Sequence, residues 1–467
     1  MQTLVMKFGG TSVGSAAAIA QLATIAQEAR GRWAQLAVVV SAMSGVTDML
    51  IRGAHSAASG DRHTYPQLVA QLREKHAAAL AELVSDADDA AATGAAIGAL
   101  IDEFALLCHS VQVLGEASPR ALDAISGLGE RMSCRLVAAA LRARAMDAEA
   151  IDASEIVLTS SSFGNAVPLE PETRDRTRAR LLPLLERGVV PVITGFIGAT
   201  VSGAQTTLGR GGSDYSGAII GAALDADEVA IYTDVDGVMT TDPRQVPQAQ
   251  IIESISYAEM GELAYFGAKV LHPRTIRPVV ERGVPIRIRN TFNPKHPGTL
   301  VVGGATTDGR AVKAVTCIKQ MSLITVEGRG MIGVPGVAAR TFGAVASVGA
   351  NVLMISQASS EQSICFIVPN STAGEVVGAL ELGLGPEIAR RDIEQIRRRD
   401  DVVIVTAVGA GMRETPGVAA LVFGALAGKR VNVIAIAQGS SECAISAVVA
   451  SDDVDIAVRA IHELTVL

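Results

Sequence analysis

Lys7 stands near the end of the apolar run Thr3–Phe8 and is followed by Gly9, Gly10, Thr11 and Ser12. An ammonium group, two residues without a Cβ and two hydroxyls together can hold an anion, because bare backbone lets N–H groups approach a phosphate closely. A P-loop places its lysine after the glycines, as GxxxxGK[ST], and no such run occurs in the chain. With the lysine first, its amine leaves the carboxyl end of a strand, where open α/β sheets bind ligands. The amides of Gly9 and Gly10 and the hydroxyls of Thr11 and Ser12 would then be further donors. A tight strand-to-helix turn with a lysine stem lying along apolar surface reads the same way.

A second cluster, Gly209-Arg210-Gly211-Gly212-Ser213-Asp214, leads into an apolar helix. Amides at a helix N-terminus attract anions, and a guanidinium grips carboxylate or phosphate in bidentate fashion. Asp214 can cap that helix or, beside two cations, hold Lys7 in position. A third stretch, "IYTDVDGVMTTDPR", ends a strand at Thr233-Asp234 and carries Arg244. A fourth, "YFGAKVLHP", places Lys269 in a turn. No histidine lies in the glycine clusters, so the chemistry on offer is charge neutralisation and not proton relay.

The elements around these clusters alternate. "TLVMKF", "LAVVVS", "VVPVITGF", "EVAIYTDV" and "VPIRIRN" read as buried strands. "AAAIAQLATIAQEARGRWA", "RMSCRLVAAALRARAM" and "DYSGAIIGAALDA" read as helices between them. That alternation predicts a mostly parallel sheet covered on both faces. Residues 60–125 lack strand signals and read as a helical insertion. The Gly-, Pro- and Thr-rich stretch 293–310 reads as a boundary.

Beyond it, residues 330–368 align without a gap onto 411–449, an offset of 81 with 20 of 39 positions identical. Each copy reads as a βαββαβ unit of ferredoxin type, with Pro335 or Pro416 in a Gly-rich turn. Gly328, Gly330 and Gly333 match a dinucleotide fingerprint, but the second copy has Glu414 at the third place and no ribose-binding acid follows. They read as turn glycines, and no NAD site is expected.

At 467 residues the chain exceeds one core and predicts two to four domains. A net charge of -8 gives no basic field for nucleic acid. With Trp, Tyr and Phe numbering only 1, 5 and 9, aliphatic residues must fill the cores. Cys108, Cys134, Cys317, Cys365 and Cys443 are odd in number and scattered, which predicts reduced thiols in a cytoplasmic protein. Neither a signal peptide nor an apolar run of about 18 residues able to span a bilayer is expected.

In order and combination, "KFGGTS", "SAMSGVTDML", "SGLGERMS", "TTLGRGGSDYSGA", "TDVDGVMTTDPR" and "FGAKVLHP", followed by two ACT-type repeats, resemble aspartate kinase along essentially the whole chain. The repeats look most like those in the kinase half of threonine-sensitive aspartokinase–homoserine dehydrogenases. The sequence departs from that pattern by stopping at Leu467, so only kinase activity is expected to carry over. The resemblance implies an amino-acid kinase-type three-layer α/β domain over 1–300, then ferredoxin-like ACT domains over 315–395 and 396–467.

It also implies ATP-dependent phosphorylation of the β-carboxylate of L-aspartate with Mg²⁺ on the phosphates, in a cytoplasmic homo-oligomer paired through its ACT domains. Lys7, Arg210 and Asp214 take the catalytic positions. Ser41, Thr47, Glu130, Arg210 and Ser213 match substrate positions. Lys7, Gly9, Gly10, Thr11, Thr233, Asp234, Met239, Arg244, Lys269 and Val270 match nucleotide positions; Met239 stands where some relatives have an aromatic. Asn351 and Gln357, with Asn432 and Gln438 equivalent in the second copy, are candidate partners for an amino-acid effector, threonine first and lysine second. The alternative reading is that these amides cap strand ends. The competing readings are a kinase for another acidic amino acid, a non-catalytic amino-acid sensor and an obligate subunit of a larger complex.

Overall fold

The computed structural model describes residues 2–267, 271, 273–304, 310–357, 362–413, 415–439 and 442–465. They form two compact units, one made of 1–238, 253–257 and 270–304, the other of 239–252, 258–269 and 305–467.

In the first unit an eight-stranded sheet is built from β1 (Thr3–Phe8), β2 (Gln35–Val40), β3 (Ala148–Ile151), β4 (Val190–Thr194), β7 (Glu228–Thr233), β8 (Ser254–Ser256), β9 (Ile286–Asn290) and β10 (Thr299–Val302). Its order is β3-β4-β2-β1-β7-β9-β10-β8. All pairings are parallel except β9 with β10. Every residue of β1, β2 and β4 is buried, so the centre of the sheet is covered on both faces, as expected of β-branched runs. The chain leaves β1 for β2 on one side and returns to β7 on the other, which makes the carboxyl end of β1 the switch point where a crevice opens. A short hairpin of β5 (Ile197–Ala199) and β6 (Gln205–Thr207) stands apart from this sheet.

The helices of this unit are α1 (Ala16–Arg30), α2 (Val46–Ala58), α3 (Thr64–Leu83), α4 (Ala87–Leu114), α5 (Pro119–Ser126), α6 (Leu128–Arg142), α7 (Glu170–Glu186), α8 (Gly212–Ala223) and α10 (Pro273–Val280). Most of α9 (Tyr257–Tyr265) belongs to the second unit. The insertion expected at 60–125 consists of helices α3, α4 and α5 with short connections and contains no strand. One expectation needs correcting: α4 is by length and composition apolar enough to cross a bilayer. Its alanines supply much of that character. Its stripe Ile97, Ile101, Phe104, Cys108 and Val111 lies in the core, while Asp102 and Glu103 pair with Arg73 and Arg131. The stretch 293–310, expected as a boundary, contains β10, because "TLVV" completes the sheet between β9 and β8.

In the second unit β11 (Ala314–Glu327), β12 (Met354–Gln357), β13 (Ser363–Pro369), β14 (Gln395–Val408), β15 (Ala435–Gln438) and β16 (Ala444–Ala450) form one sheet, ordered β12-β13-β11-β14-β16-β15. Helices α11 (Val337–Ser347), α12 (Asn370–Gly383), α13 (Gly385–Ala389), α14 (Val418–Gly428) and α15 (Val454–His462) complete it. The 81-residue period recurs in the elements, α11 to α14, β12 to β15 and β13 to β16. The two copies are not simply consecutive, however. The first uses 321–327 of β11 and 395–402 of β14 as its outer pair, and the second uses 402–408 of β14 closed by 314–318 of β11. The fourth strand of the second copy therefore precedes the first copy in the chain. Each copy keeps its own helical core, around Phe366 and Leu380 in one and Val422 and Ile461 in the other.

That arrangement explains the false dinucleotide fingerprint. A Cβ on Gly328 would lie 2.2 Å from the Asp392 carbonyl oxygen, and one on Gly409 would lie 2.2 Å from that of Ala311. Both glycines let the turn pass the segment that leads into a fourth strand. Pieces of sequence read as part of the kinase also belong to this unit. Val246 joins the second copy's core, Thr240 Oγ1 lies 2.9 Å from His462 Nε2, and buried Glu259 pairs with buried Lys313.

Candidate functional site

The first unit contains a cleft of about 810 Å³ lined by Lys7, Ser41, Thr47, Glu130, Arg210, Ser213 and Asp214, all seven of which motif reading selected. Each arrives by a distinct local route. Lys7 lies on a strand buried along its whole length, and its stem meets α8 at Gly217, where a Cβ would sit 3.0 Å from Lys7 Cβ. Glycine there lets the helix close on the strand, and the buried amine forms an ion pair with Asp214 of the helix's first turn. Asp214 heads α8 together with the amides that such a first turn leaves without intrahelical acceptors. Arg210 is exposed between Gly209 (φ 77°) and Gly211 (φ 72°), a left-handed pair that swings the guanidinium clear of the helix.

Ser41 follows β2, its amide bonded to the Phe8 carbonyl at 3.1 Å. Left-handed Gly45 then opens α2, which carries Thr47. Glu130 enters from α6. A Cβ on the preceding Gly129 would lie 2.8 Å from Ala42 Cβ, so the helix presses its first turn against the chain just after Ser41. Glu130 is 4% exposed. Burial pushes its carboxyl up to about 8, against the opposing pull of the Ala42 and Glu130 amides and the Lys7 charge. Its Oε2 has no hydrogen-bond partner among the described residues. A buried acid with an unpartnered oxygen, on a residue that lines the cleft, is suited to receive a cationic donor.

Gly9, Gly10, Thr11, Thr233 and Asp234 lie outside this lining, at the adjoining carboxyl ends of β1 and β7. The Gly9 amide donates to the Tyr232 carbonyl at 3.1 Å. It is thus not the free phosphate donor expected of it, because the parallel pairing of β1 with β7 runs one residue past Phe8. Ser12 is buried and bridges the Tyr232 carbonyl and the Thr291 hydroxyl, a structural role. Met239 and Arg244 belong to the second unit, where exposed Arg244 forks onto Asp242 at 2.6 Å. Lys269 and Val270 lie outside the described residues. Asn351, Gln357, Asn432 and Gln438 are all exposed, so burial of a side-chain amide, the premise for an effector there, is absent within one chain. Gln357 lines a cleft of about 320 Å³ with residues 333–338.

The cleft also holds residues that motif reading missed. His55 lies eight residues after Thr47 on α2, a helical spacing that could have revealed it. Phe196 lines the cleft with φ 68°, its amide bonded to Ser216 Oγ at 2.9 Å; nothing in "TGF" signals that conformation. Asp123 is buried against Thr207 and Gly164.

Comparison with known proteins gives the same picture. Residues 2–290 match the amino acid kinase family and residues 324–382 and 405–464 match an ACT domain. A bifunctional aspartokinase/homoserine dehydrogenase of Daucus carota is 39% identical over 98% of this chain and 50% of that protein. The chain spans about half the length of such bifunctional relatives. An aspartokinase of Thermus thermophilus is 34% identical over 99% of this chain and 98% of that protein. The structure of E. coli aspartokinase III in complex with aspartate and ADP has a TM-score of 0.81 at 29% identity, covering 100% of both chains. The sheet, the cleft and matches of this length converge on one conclusion: the chain belongs to the amino acid kinase family and, within it, to the aspartokinases.

Proposed function

We propose that this chain transfers the γ-phosphoryl group of ATP to the β-carboxylate of L-aspartate, giving 4-phospho-L-aspartate and ADP, the first step towards lysine, threonine and methionine. The observation that carries this reading is the cleft in which the Lys7–Asp214 pair, exposed Arg210 and the orphan Glu130 oxygen converge. Aspartate offers an ammonium to Glu130 and a carboxylate to Arg210, with Ser41, Thr47 and Ser213 as hydrogen-bonding groups. Its β-carboxylate, with an ordinary pKa near 3.9, is already ionised at neutral pH and needs no general base. The barrier is the approach of one anion to another, which positioning and fixed positive charge lower. Lys7 neutralises the moving phosphoryl group, and Asp214 keeps its amine aimed there.

The nucleotide side within the first unit is assigned, on motif resemblance, to Gly10, Thr11, Thr233, Asp234 and Val270. Mg²⁺ bound with ATP would screen the triphosphate charge. The ion usually keeps one or two carboxylates besides phosphate oxygens, and exposed Asp234, two residues beyond the Tyr232 carbonyl that holds Gly9, suits that contact.

The ACT copies would respond to an amino acid, threonine before lysine, in a homo-oligomer paired through them. Threonine is put first because the repeats resemble those of threonine-sensitive aspartokinase–homoserine dehydrogenases. The E. coli aspartokinase III structure with lysine and aspartate supports an effector in the family. A phosphotransfer assay with aspartate, alone and with each amino acid, tests both parts. Absence of aspartyl phosphate sinks the activity, and indifference to both amino acids sinks the regulation.

A further inference from the structure

Asp123 is 2% exposed and has no cationic partner among the described residues. Its carboxylate is nonetheless fully engaged. The Gly164 amide donates to both oxygens at 3.0 and 2.9 Å, the Thr207 amide to Oδ2 at 2.9 Å and the Thr207 hydroxyl to Oδ1 at 2.7 Å. Gln205 Nε2 adds bonds to the carbonyls of Asp123 and Ala124 at 2.9 and 3.2 Å. One side chain thus ties α5 to β6 and to the 160–168 loop, and the Ala166 amide returns to the Thr207 carbonyl at 2.9 Å.

What hangs from this knot is the substrate side of the cleft. Two residues after Thr207 comes left-handed Gly209, where a Cβ would lie 2.8 Å from Asn165 Oδ1, and then Arg210. Seven residues after Asp123, through Gly127 and the first turn of α6, comes Glu130. A Cβ on Gly127 would lie 2.3 Å from Gln205 Nε2, so the path from Asp123 to Glu130 is packed against the same strand. The guanidinium at one end and the buried carboxyl at the other are both referred to Asp123.

We propose that Asp123 is a positioning residue that fixes the span between Arg210 and Glu130 and thereby selects the length of the amino dicarboxylate, admitting aspartate and rejecting glutamate. This rests on the assignment of that cleft to aspartate. A site whose cation and anion receptors are set at a fixed separation discriminates by one methylene only while that separation is held. A displacement of about 1 Å can cost about a hundredfold in rate.

Asp123→Asn puts an amide NH₂ where one oxygen now accepts, so either Gly164 or Thr207 meets a donor instead of an acceptor. Expected are a rise of about tenfold or more in KM for aspartate, an unchanged KM for ATP and a fall in the aspartate-over-glutamate ratio of kcat/KM. Thr207→Val, which removes only the hydroxyl bond, should move the same quantities in the same direction by less, and serves if Asp123→Asn does not fold. A folded variant with unchanged KM for aspartate and unchanged discrimination overturns the proposal, as does a parallel rise in KM for ATP. If the wild-type protein leaves aspartate unphosphorylated, the functional reading falls by itself. Amide hydrogen exchange across 207–212 then decides the positioning role: faster exchange in the variant upholds it and unaltered exchange refutes it.

Discussion

Replacing Glu130 by Gln probes the electrostatics of the cleft most directly. The carboxyl rises from an ordinary 4.5 to about 8 because burial penalises its charged form. At pH 7 the empty site is thus about nine-tenths protonated. Receiving the ammonium of aspartate as a carboxylate then costs about 1.4 kcal/mol, one unit at about 1.36 kcal/mol. KM for aspartate should therefore fall by about tenfold between pH 7 and pH 9. Glu130→Gln abolishes that slope. It also weakens binding at pH 8.5 by roughly 10- to 150-fold, the equivalent of losing a charged hydrogen bond worth about 1.5–3 kcal/mol.

Stability moves the other way. A native acid with a raised pKa binds its proton more tightly than the unfolded chain does, so its ionisation destabilises the fold as pH climbs from 4.5 to about 8. Without ligand, the Gln variant should melt progressively higher than wild type between pH 5 and pH 8.5. Steady-state kinetics over that range with parallel melting curves make the test. A variant that keeps both the wild-type KM and its pH slope would refute the placement of the ammonium at Glu130.

Two further substitutions address the lysine. Lys7→Ala removes the fixed charge and should lower kcat by about 10² to 10³, with the melting temperature measured alongside; near-normal turnover would contradict the assignment. Gly217→Val leaves every polar group in place but inserts a branched side chain where even a Cβ would lie 3.0 Å from Lys7 Cβ. It should lower kcat at least tenfold through displacement of the amine, read by the same assay, and an unchanged kcat would show that the helix–strand contact does not set the lysine's position.

Much of this site could be read from sequence because its parts are short and locally encoded. Lys7, Arg210 and Asp214 sit beside glycines whose spacing marks a strand end and a helix start, and the buried strands announce themselves as β-branched runs. Glu130 and Thr47 were accessible only through resemblance, since an acid or a threonine inside a helix carries no local signal of facing a cavity. Asp123 and Phe196 escaped altogether. One depends on donors about 40 and 84 residues away, the other on a backbone angle that its residue type disfavours. The engagement of the Gly9 amide was hidden for a related reason, because strand pairing across more than two hundred residues decides whether an N–H is free. The repeat gave the period of the second unit, but not which strand closes which copy.

That closure has a bearing on how the molecule is made. During synthesis residues 314–318 emerge well before the last copy to which they belong, and must stay unpaired until 404–408 appears. Cutting the chain after residue 395 would leave a frayed template and a half-clothed ladder, open to pairing with other chains. Unfolding of either copy therefore exposes part of the ladder that the other uses. A small molecule gripping either one pulls on the same pair of fourteen-residue strands that runs through its twin.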